Sequence, residues 1–158
     1  MEINNMKILI NRKDGGVSIM SLSGEAESAE VEVAKWAELH KDSYISHRVI
    51  SDEDIPPIRE FRDAWTDVTE ETSIDIDLAK AKDVALNRLR AERNKELDNL
   101  DKKLMIAMEM ESDDVQSLKE KKQALRDVTE PLKALQAEGV NDENVLNQIK
   151  QLSMLGDV

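Results

Sequence analysis

The feature that most constrains this fold is a long stretch of helix-forming residues that contains no proline or glycine. It runs from Asp75 or Asp77, either of which can cap a helix, to Glu111, and it is rich in Ala, Leu, Lys, Arg and Glu. We therefore predict one long helix. At about 1.5 Å per residue it extends roughly 50 Å, which is more than a small domain can cover by itself.

A heptad register along this helix gives a seam that is apolar only towards its C-terminal end. One seam position holds Leu86, Arg93, Leu100 and Ala107, and the other holds Arg90, Leu97 and Leu104. Residues 112–114 predict the cap of a second helix over 115–128 that returns antiparallel to the first. We predict a coiled-coil-like helical hairpin, followed by short helices over 129–137 and 141–155.

The start of the chain predicts two short strands joined by a tight loop. Residues 7–11 and 17–22 are apolar-rich, and the Asp14-Gly15-Gly16 sequence between them supplies residues that adopt positive φ. Because an isolated pair of strands is marginally stable in water, one face of the pair must be covered.

The next segments supply the cover and a third strand. A helix over residues 23–40 carries apolar side chains at helical spacing and places Trp36 over the strand pair, and residues 44–50 alternate as a strand does. The fold class is therefore predicted to be α+β, with a small ββαβ unit at the N-terminus and helices after it.

Two successive prolines, Pro56 and Pro57, mark the predicted domain boundary because each biases the preceding residue towards extended backbone. We predict a ββαβ domain at residues 1–57, a linker with a short helix at 58–74, and a helical region at 75–158. Within the linker, Phe61 and Trp65 are four residues apart and share a face of the short helix.

The sequence lacks the patterns that are typical of catalytic or metal sites. His40 and His47 are the only histidines, and they follow neither of the helical spacings that zinc hydrolases use. The absence of cysteine excludes disulfides and cysteine-ligated metals, and the acidic runs lack the spaced ligands and glycine of a calcium loop. We predict no catalytic residue, no metal site and no cofactor.

Charge separates one segment from the rest of the chain. The net charge is −12, which repels nucleic acid and anionic membranes. The first half of the long helix is nevertheless locally basic, with Lys80, Lys82, Arg88, Arg90, Arg93 and Lys95. It is either a solvated face that pairs with an acidic return helix, or a docking surface for an acidic partner or nucleic acid centred on Arg88, Arg90 and Arg93. No aromatic residue lies there for base stacking.

The sequence also shows none of the patterns that are typical of targeting segments. The N-terminus lacks a secretory signal, and no stretch is apolar and long enough to span a bilayer, so we expect a protein that stays soluble. Met6 directly precedes the first patterned segment, which leaves Met1 and Met6 as candidate starts.

Apolar residues near the end of the long helix form the candidate contact surface. Leu104, Met105, Met108 and Met110 lie close together there, and methionine side chains suit adaptable contacts as well as irregular cores. Because the helix presents more apolar edge than the chain can cover, we expect a partner protein and a homo-oligomer. The predicted partner-binding residues are Phe61, Trp65, Leu97, Leu100, Leu104 and Met108.

Several short motifs, in order, resemble a family of phage-associated proteins from tailed-phage and prophage genomes. The matching stretches are residues 14–18 (DGGVS), 51–56, 61–65 (FRDAW), 75–81, 88–93, 97–101 and 122–129, which begins KQALRD. The order and spacing of the motifs carry the resemblance. Residues 58–60 depart from the family pattern, and the segment from 138 onward has no counterpart in it.

This resemblance implies a protein of the virion, or of the host cytoplasm during phage assembly, that contacts other phage structural proteins of the tail, fibre or connector. It carries no assigned catalytic residue. Three functions stay open: a structural or accessory virion protein, a tail-fibre assembly chaperone that is absent from the mature particle, and a nucleic-acid-binding phage regulator.

Overall fold

A computed structural model describes residues 6–23 and 28–156 and divides the chain into two compact units, Met1–Asp77 and Leu78–Val158. Strands come first and a long helix follows, which confirms the coarse α+β prediction. Residues 58–74, predicted as a linker, belong to the first unit. The candidate start Met1 and the predicted first turn of the first helix, at 24–27, lie outside the described residues.

The first unit is built on a three-stranded antiparallel sheet. Its strands are β1 (Lys7–Arg12), β2 (Val17–Ser21) and β3 (Tyr44–Ile50), in the order β2-β1-β3. In the register, Leu9 of β1 lies between Ile19 of β2 and Arg48 of β3. The three strands match the predicted segments closely because each alternates and is bounded by turn or loop residues.

Helix α1 (Ala29–Leu39) covers one face of this sheet, as the sequence predicted. Ser28 caps the helix by accepting a hydrogen bond from the backbone N–H of Val31 at 3.2 Å. The buried residues of this core are Ile8, Ile10, Leu22 and Val33, with Trp36 packed against them.

Residues 51–77 are tied to the opposite face of the sheet. This segment contains turns of 3-10 helix at Asp52–Asp54 and Arg59–Ala64, then the two-residue strands β4 (Trp65–Thr66) and β5 (Asp75–Ile76), which pair antiparallel. The Thr66 hydroxyl donates to the carbonyl of Gly15 at 3.1 Å. The sequence predicted the short helical turn but neither strand.

The second unit consists of helices. Its elements are α2 (Leu78–Glu109), α3 (Val115–Asp127), α4 (Glu130–Ala134) and α5 (Glu143–Leu152). Helix α2 packs against the other three, and Lys122 of α3 forms an ion pair with Asp101 of α2. Within the described part of the chain, no helix is both long and apolar enough to cross a membrane.

The N-terminal part of α2 is held by the C-terminal end of α4. Lys82 Nζ donates to the carbonyl oxygens of Lys133 at 2.8 Å and Leu135 at 2.7 Å. A cation is favourable at this position because the carbonyls at the end of a helix carry partial negative charge. Leu132 and Ile149, both fully buried, contribute to the core of this unit.

Candidate functional site

The end of α2, the turn after it and the start of α3 expose apolar side chains. We call this region, residues 103–121, the helical tip. Its exposed fractions are 56% for Ile106, 57% for Met108 and 75% for Met110, and neighbouring Met105 is 64% exposed. Large apolar side chains clustered at this exposure commonly mark a contact surface, whereas single exposed ones do not.

A groove of about 480 Å³ runs between the two helices at the tip. Helix α2 with the residue after it contributes Lys103, Ile106, Ala107 and Met110, the turn contributes Ser112, and α3 with its preceding residue contributes Asp114, Ser117, Leu118 and Lys121. Both sets follow the spacing i, i+3, i+4, i+7, so each is one face of its helix. The groove therefore has one helical wall from α2 and one from α3.

Local hydrogen bonds form the turn that closes the tip. Glu111 adopts a positive φ of 51°, and the N–H of Ser112 donates to the carbonyl of Ala107 at 2.9 Å, which satisfies a carbonyl at the end of α2. The Ser112 hydroxyl donates to Asp114 Oδ2 at 3.2 Å and accepts from the Asp114 N–H at 3.2 Å. These bonds fix where α3 begins.

The groove is chemically suited to binding rather than to reaction. Ile106, Met110 and Leu118 line it with apolar side chains, and Lys103, Lys121 and Asp114 add charged side chains to its lining. An apolar centre with a polar rim is the usual composition of a protein–protein interface.

Of the six predicted partner-binding residues, all within the described ranges, Met108 alone is exposed. Phe61 and Trp65 are 2% and 3% exposed, so neither ring is free for a partner in this conformation, because both are packed in the interior. Leu100 is also buried, at 8% exposed, and Leu97 and Leu104 are half-buried. Met108 is exposed.

Ile106 was missed by the sequence analysis, although it is one of the most exposed apolar residues of the tip. The heptad register directs attention to seam positions, and Ile106 is not one of them. The signal that could have found it is an isoleucine beside the seam within a run of methionines.

The predicted basic patch is spread around α2. Arg88 and Arg90 are exposed and Arg93 is half-buried. At about 100° per residue, Arg88 lies about 200° around the helix from Arg90, so the three do not share a face. Arg90 Nη1 donates to Asn87 Oδ1 at 3.4 Å, and Arg93 Nη2 donates to Asn94 Oδ1 at 3.1 Å.

The ion pair described between α2 and α3 has the opposite polarity to the predicted pairing of a basic α2 with an acidic α3. Helix α3 is itself rich in lysine, and this ion pair joins Asp101 of α2 to Lys122 of α3. The charges of this pair are therefore reversed relative to the prediction, because the acidic residues lie on the C-terminal half of α2.

The histidines have structural contacts. The Tyr44 hydroxyl lies 2.7 Å from His47 Nδ1, and the rings of Trp36 and His40 lie 4.3 Å apart. Among the residues at 6–23 and 28–156, no group of three or more His, Cys, Asp or Glu side chains is placed to hold a metal ion. Comparisons of the chain with protein-family models, with curated proteins and with solved structures found no match.

Proposed function

We propose that this chain is a non-enzymatic protein of a tailed bacteriophage that acts by protein–protein contact, as a virion component of the tail or of fibre attachment. The observation that carries the contact mechanism is the apolar groove of the helical tip, with Ile106 and Met110 exposed on its wall. The motif resemblance of the sequence supports the phage setting.

In this proposal α2 and α3 act as an antiparallel helical hairpin that presents the tip. Leu100, Ala107 and Leu125 are buried, which is the role expected of seam residues in a coiled-coil-like pair. The groove between two helical walls suits an amphipathic helix of a partner, whose apolar face would cover Ile106 and Met110. Other phage structural proteins and a second copy of this chain are the proposed partners.

An assembly chaperone, absent from the mature particle, is a second candidate that the methionines of the tip favour. Flexible methionine side chains repack against different partners, which suits a transient complex. A nucleic-acid-binding regulator has less support, because Arg88 and Arg90 lie on different sides of α2.

Mass spectrometry of purified virions tests the proposal. A virion component is expected in particles at a fixed copy number, whereas a chaperone is expected only in the lysate. Absence of the protein from both particles and assembly intermediates would contradict both roles.

A matched pair of variants tests the surface. Ile106→Glu places a charge in the groove and is expected to remove the protein from particles or intermediates. Leu39→Glu is the control, because Leu39 is 79% exposed and lies in the other unit. Equal incorporation of both variants would show that the helical tip is not the contact surface.

A further inference from the structure

The groove of the helical tip is charged differently at its two ends. Helix α2 runs towards the turn and α3 runs away from it, so Met110 and Asp114 lie at the turn end of the groove. Lys103 precedes Met110 by seven residues and Lys121 follows Asp114 by seven, which places both lysines about 10 Å from the turn. The groove therefore has a cationic end and, at the turn, an acidic end.

The two lysines lie at the same level of the two helices. The ion pair between Asp101 and Lys122 joins α2 to α3 close to Lys103 and Lys121. Both of these lysines are exposed, and among the residues that the structure describes neither forms an ion pair within 4 Å. Their ammonium groups are therefore available to the carboxylates of an incoming surface.

Carboxylates dominate the turn end. Residues 109–114 contain no basic side chain and four acidic ones, all exposed: Glu109, Glu111, Asp113 and Asp114. The Asp114 carboxylate accepts a hydrogen bond from the Ser112 hydroxyl at 3.2 Å and forms no ion pair within the described part of the chain. Opposite charges thus lie at opposite ends of one apolar groove, which is the pattern that a self-complementary contact needs.

We propose that the groove binds the helical tip of a second copy of this chain, turned end for end, so that Lys121 of each copy meets Asp114 of the other. A two-fold axis that crosses the helices at right angles through the middle of the groove produces this arrangement. It stacks α2 on the α2 of the second copy and α3 on its α3, antiparallel in both cases, as a four-helix bundle. The proposal rests on the contact role proposed for the helical tip and names its occupant.

The positions of the lining residues fit this axis. Each helical wall contributes residues at i, i+3, i+4 and i+7, a spacing that is the same when it is read from either end. The rotation therefore places Ile106 against Ala107 of the second copy and Leu118 against Ser117 of the second copy. Each large side chain faces a small one, which lets the two surfaces interdigitate.

Charge favours this axis over a two-fold axis that runs along the helices. The latter stacks α2 on the α3 of the second copy and brings the two cationic ends together, so that Lys103 meets Lys121 and like charges repel. In the proposed arrangement Lys103 meets Met110 of the second copy instead. The apolar stem of a lysine can cover such a side chain, which is 75% exposed in the single chain, while its ammonium group stays in water.

Two charge reversals test the arrangement, because each is expected to fail alone and the two to succeed together. Lys121→Glu places two carboxylates at each contact, and Asp114→Lys places two ammonium groups there, so each variant alone should associate about tenfold more weakly than the parent. In an equimolar mixture, a pair made of one copy of each variant has opposite charges at both contacts. The affinity of the mixture is therefore expected to return to that of the parent, as measured by sedimentation equilibrium.

Two further variants make the test independent of folding defects. Lys119→Glu is the matched control, because Lys119 is an exposed lysine of α3 that does not line the groove, and it should associate as the parent does. If Asp114→Lys lowers the thermal stability, Asp114→Asn replaces it, because the amide keeps an acceptor oxygen for the Ser112 hydroxyl. Combined in one chain with Lys121→Glu, it removes the repulsion and is expected to recover part of the lost association.

Three results would overturn the proposal: a parent protein that stays monomeric, a Lys121→Glu variant that associates as the parent does, or a charge-reversed mixture that associates no better than its components. None of them contradicts the contact role of the helical tip, because the incorporation of Ile106→Glu into particles tests that role separately. A monomeric parent whose Ile106→Glu variant is lost from particles would assign the groove to a different protein.

Discussion

Asp67 is the most buried ionised side chain among the described ion pairs, with 2% of its side chain exposed. Arg48 Nη2 donates to Asp67 Oδ1 at 2.7 Å, Arg48 Nε and Asn11 Nδ2 both donate to Oδ2 at 3.1 Å, and Arg48 Nη1 donates to the carbonyl of Thr72 at 3.0 Å. This network ties the segment after β3 to strands β1 and β3.

Removing the cation from this network should lower the free energy of unfolding. Arg48→Met leaves the buried Asp67 carboxylate uncompensated, so we expect the free energy of unfolding to fall by about 3 kcal/mol. Urea unfolding followed by circular dichroism measures the change. The control Arg126→Met, at an exposed arginine, is expected to stay within about 0.5 kcal/mol of the parent. If the free energy of unfolding of Arg48→Met changes as little as that of the control, the network contributes little to stability.

The same network predicts how stability depends on pH. Burial raises the pKa of Asp67, but the hydrogen bonds from Arg48 and Asn11 and the charge of Arg48 outweigh it, so the pKa lies below its usual value of 3.8. The backbone N–H and the hydroxyl of Ser51 lower the pKa of Asp54. A carboxyl with a lowered folded pKa contributes stability above its unfolded pKa and loses it as the pH falls through the folded value.

We therefore expect the urea midpoint to be insensitive to these two groups above the ordinary carboxyl pKa of 3.8 and to fall below it. In Arg48→Met, burial of Asp67 is no longer opposed by the arginine, so its folded pKa rises and the stability that Asp67 loses on acidification becomes smaller than in the parent. Midpoints measured across the acid range test this. An unchanged acid profile in Arg48→Met would contradict the assignment to Asp67.

The loop between β1 and β2 shows how far sequence reasoning reaches at single residues. The Asp-Gly-Gly pattern predicts positive φ, and Gly15 has a φ of 79°. At Gly16 the nearest neighbour is a side chain: a Cβ there would lie 2.5 Å from Arg12 Nη2, the end of a flexible side chain that would have to shift. Glycine in a turn signals conformational freedom, whereas the side chain that passes close to it depends on the folded structure.

At the scale of elements, α5 depends on one capping side chain. Asp142 Oδ1 accepts hydrogen bonds from the N–H groups of Asn144 at 3.0 Å and Val145 at 3.2 Å. Asp142→Ala leaves both donors unpaired, so we expect a loss of about 1 kcal/mol in the free energy of unfolding. Asp142→Asn keeps the acceptor oxygen and is expected to lose much less. Thermal unfolding of the two variants measures the difference, and equal losses would rule out the cap as the cause.

Elements with many periodic residues were predictable, and elements defined by long-range pairing were not. Helix α2 and the three strands of the sheet follow from local spacing and turn residues. Strands β4 and β5 have two residues each, too few for an alternating pattern, and exist because Trp65 pairs with Ile76 across a loop. The spacing of Phe61 and Trp65 predicted a shared face but not burial, and the backbone kinks at Phe61, with φ −100° and ψ 25°.

The candidate sites differ in the same way. The tip could be predicted in part, because methionines cluster in the sequence and the seam residues Leu100 and Ala107 are buried as a heptad requires. The cleft beside β2 that is lined by Lys7, Arg59 and Trp65 could not, since these residues come from separate segments. Only the packing of residues 51–77 against the sheet brings them together.

At the scale of the molecule, the chain combines strong net charge with a concentrated apolar surface. The charge of −12 opposes non-specific association, so any association of copies must come from a particular surface. The helical tip has the required properties, because Ile106 and Met110 are exposed on the wall of a groove that a second copy can enter. Its walls also carry both signs of charge, as a self-complementary contact requires.

We therefore expect concentration-dependent association of the purified protein that depends on the tip. Covering one Ile or Met side chain contributes about 1.5 kcal/mol or more, so Ile106→Glu and Met110→Glu should each weaken association at least about tenfold. Sedimentation equilibrium over a range of concentrations measures this. Leu39→Glu, at a side chain 79% exposed in the first unit, should associate as the parent does. Because all three positions are exposed, thermal stability should hardly change. A parent protein that stays monomeric throughout would exclude self-association through the tip and leave a different protein as its occupant.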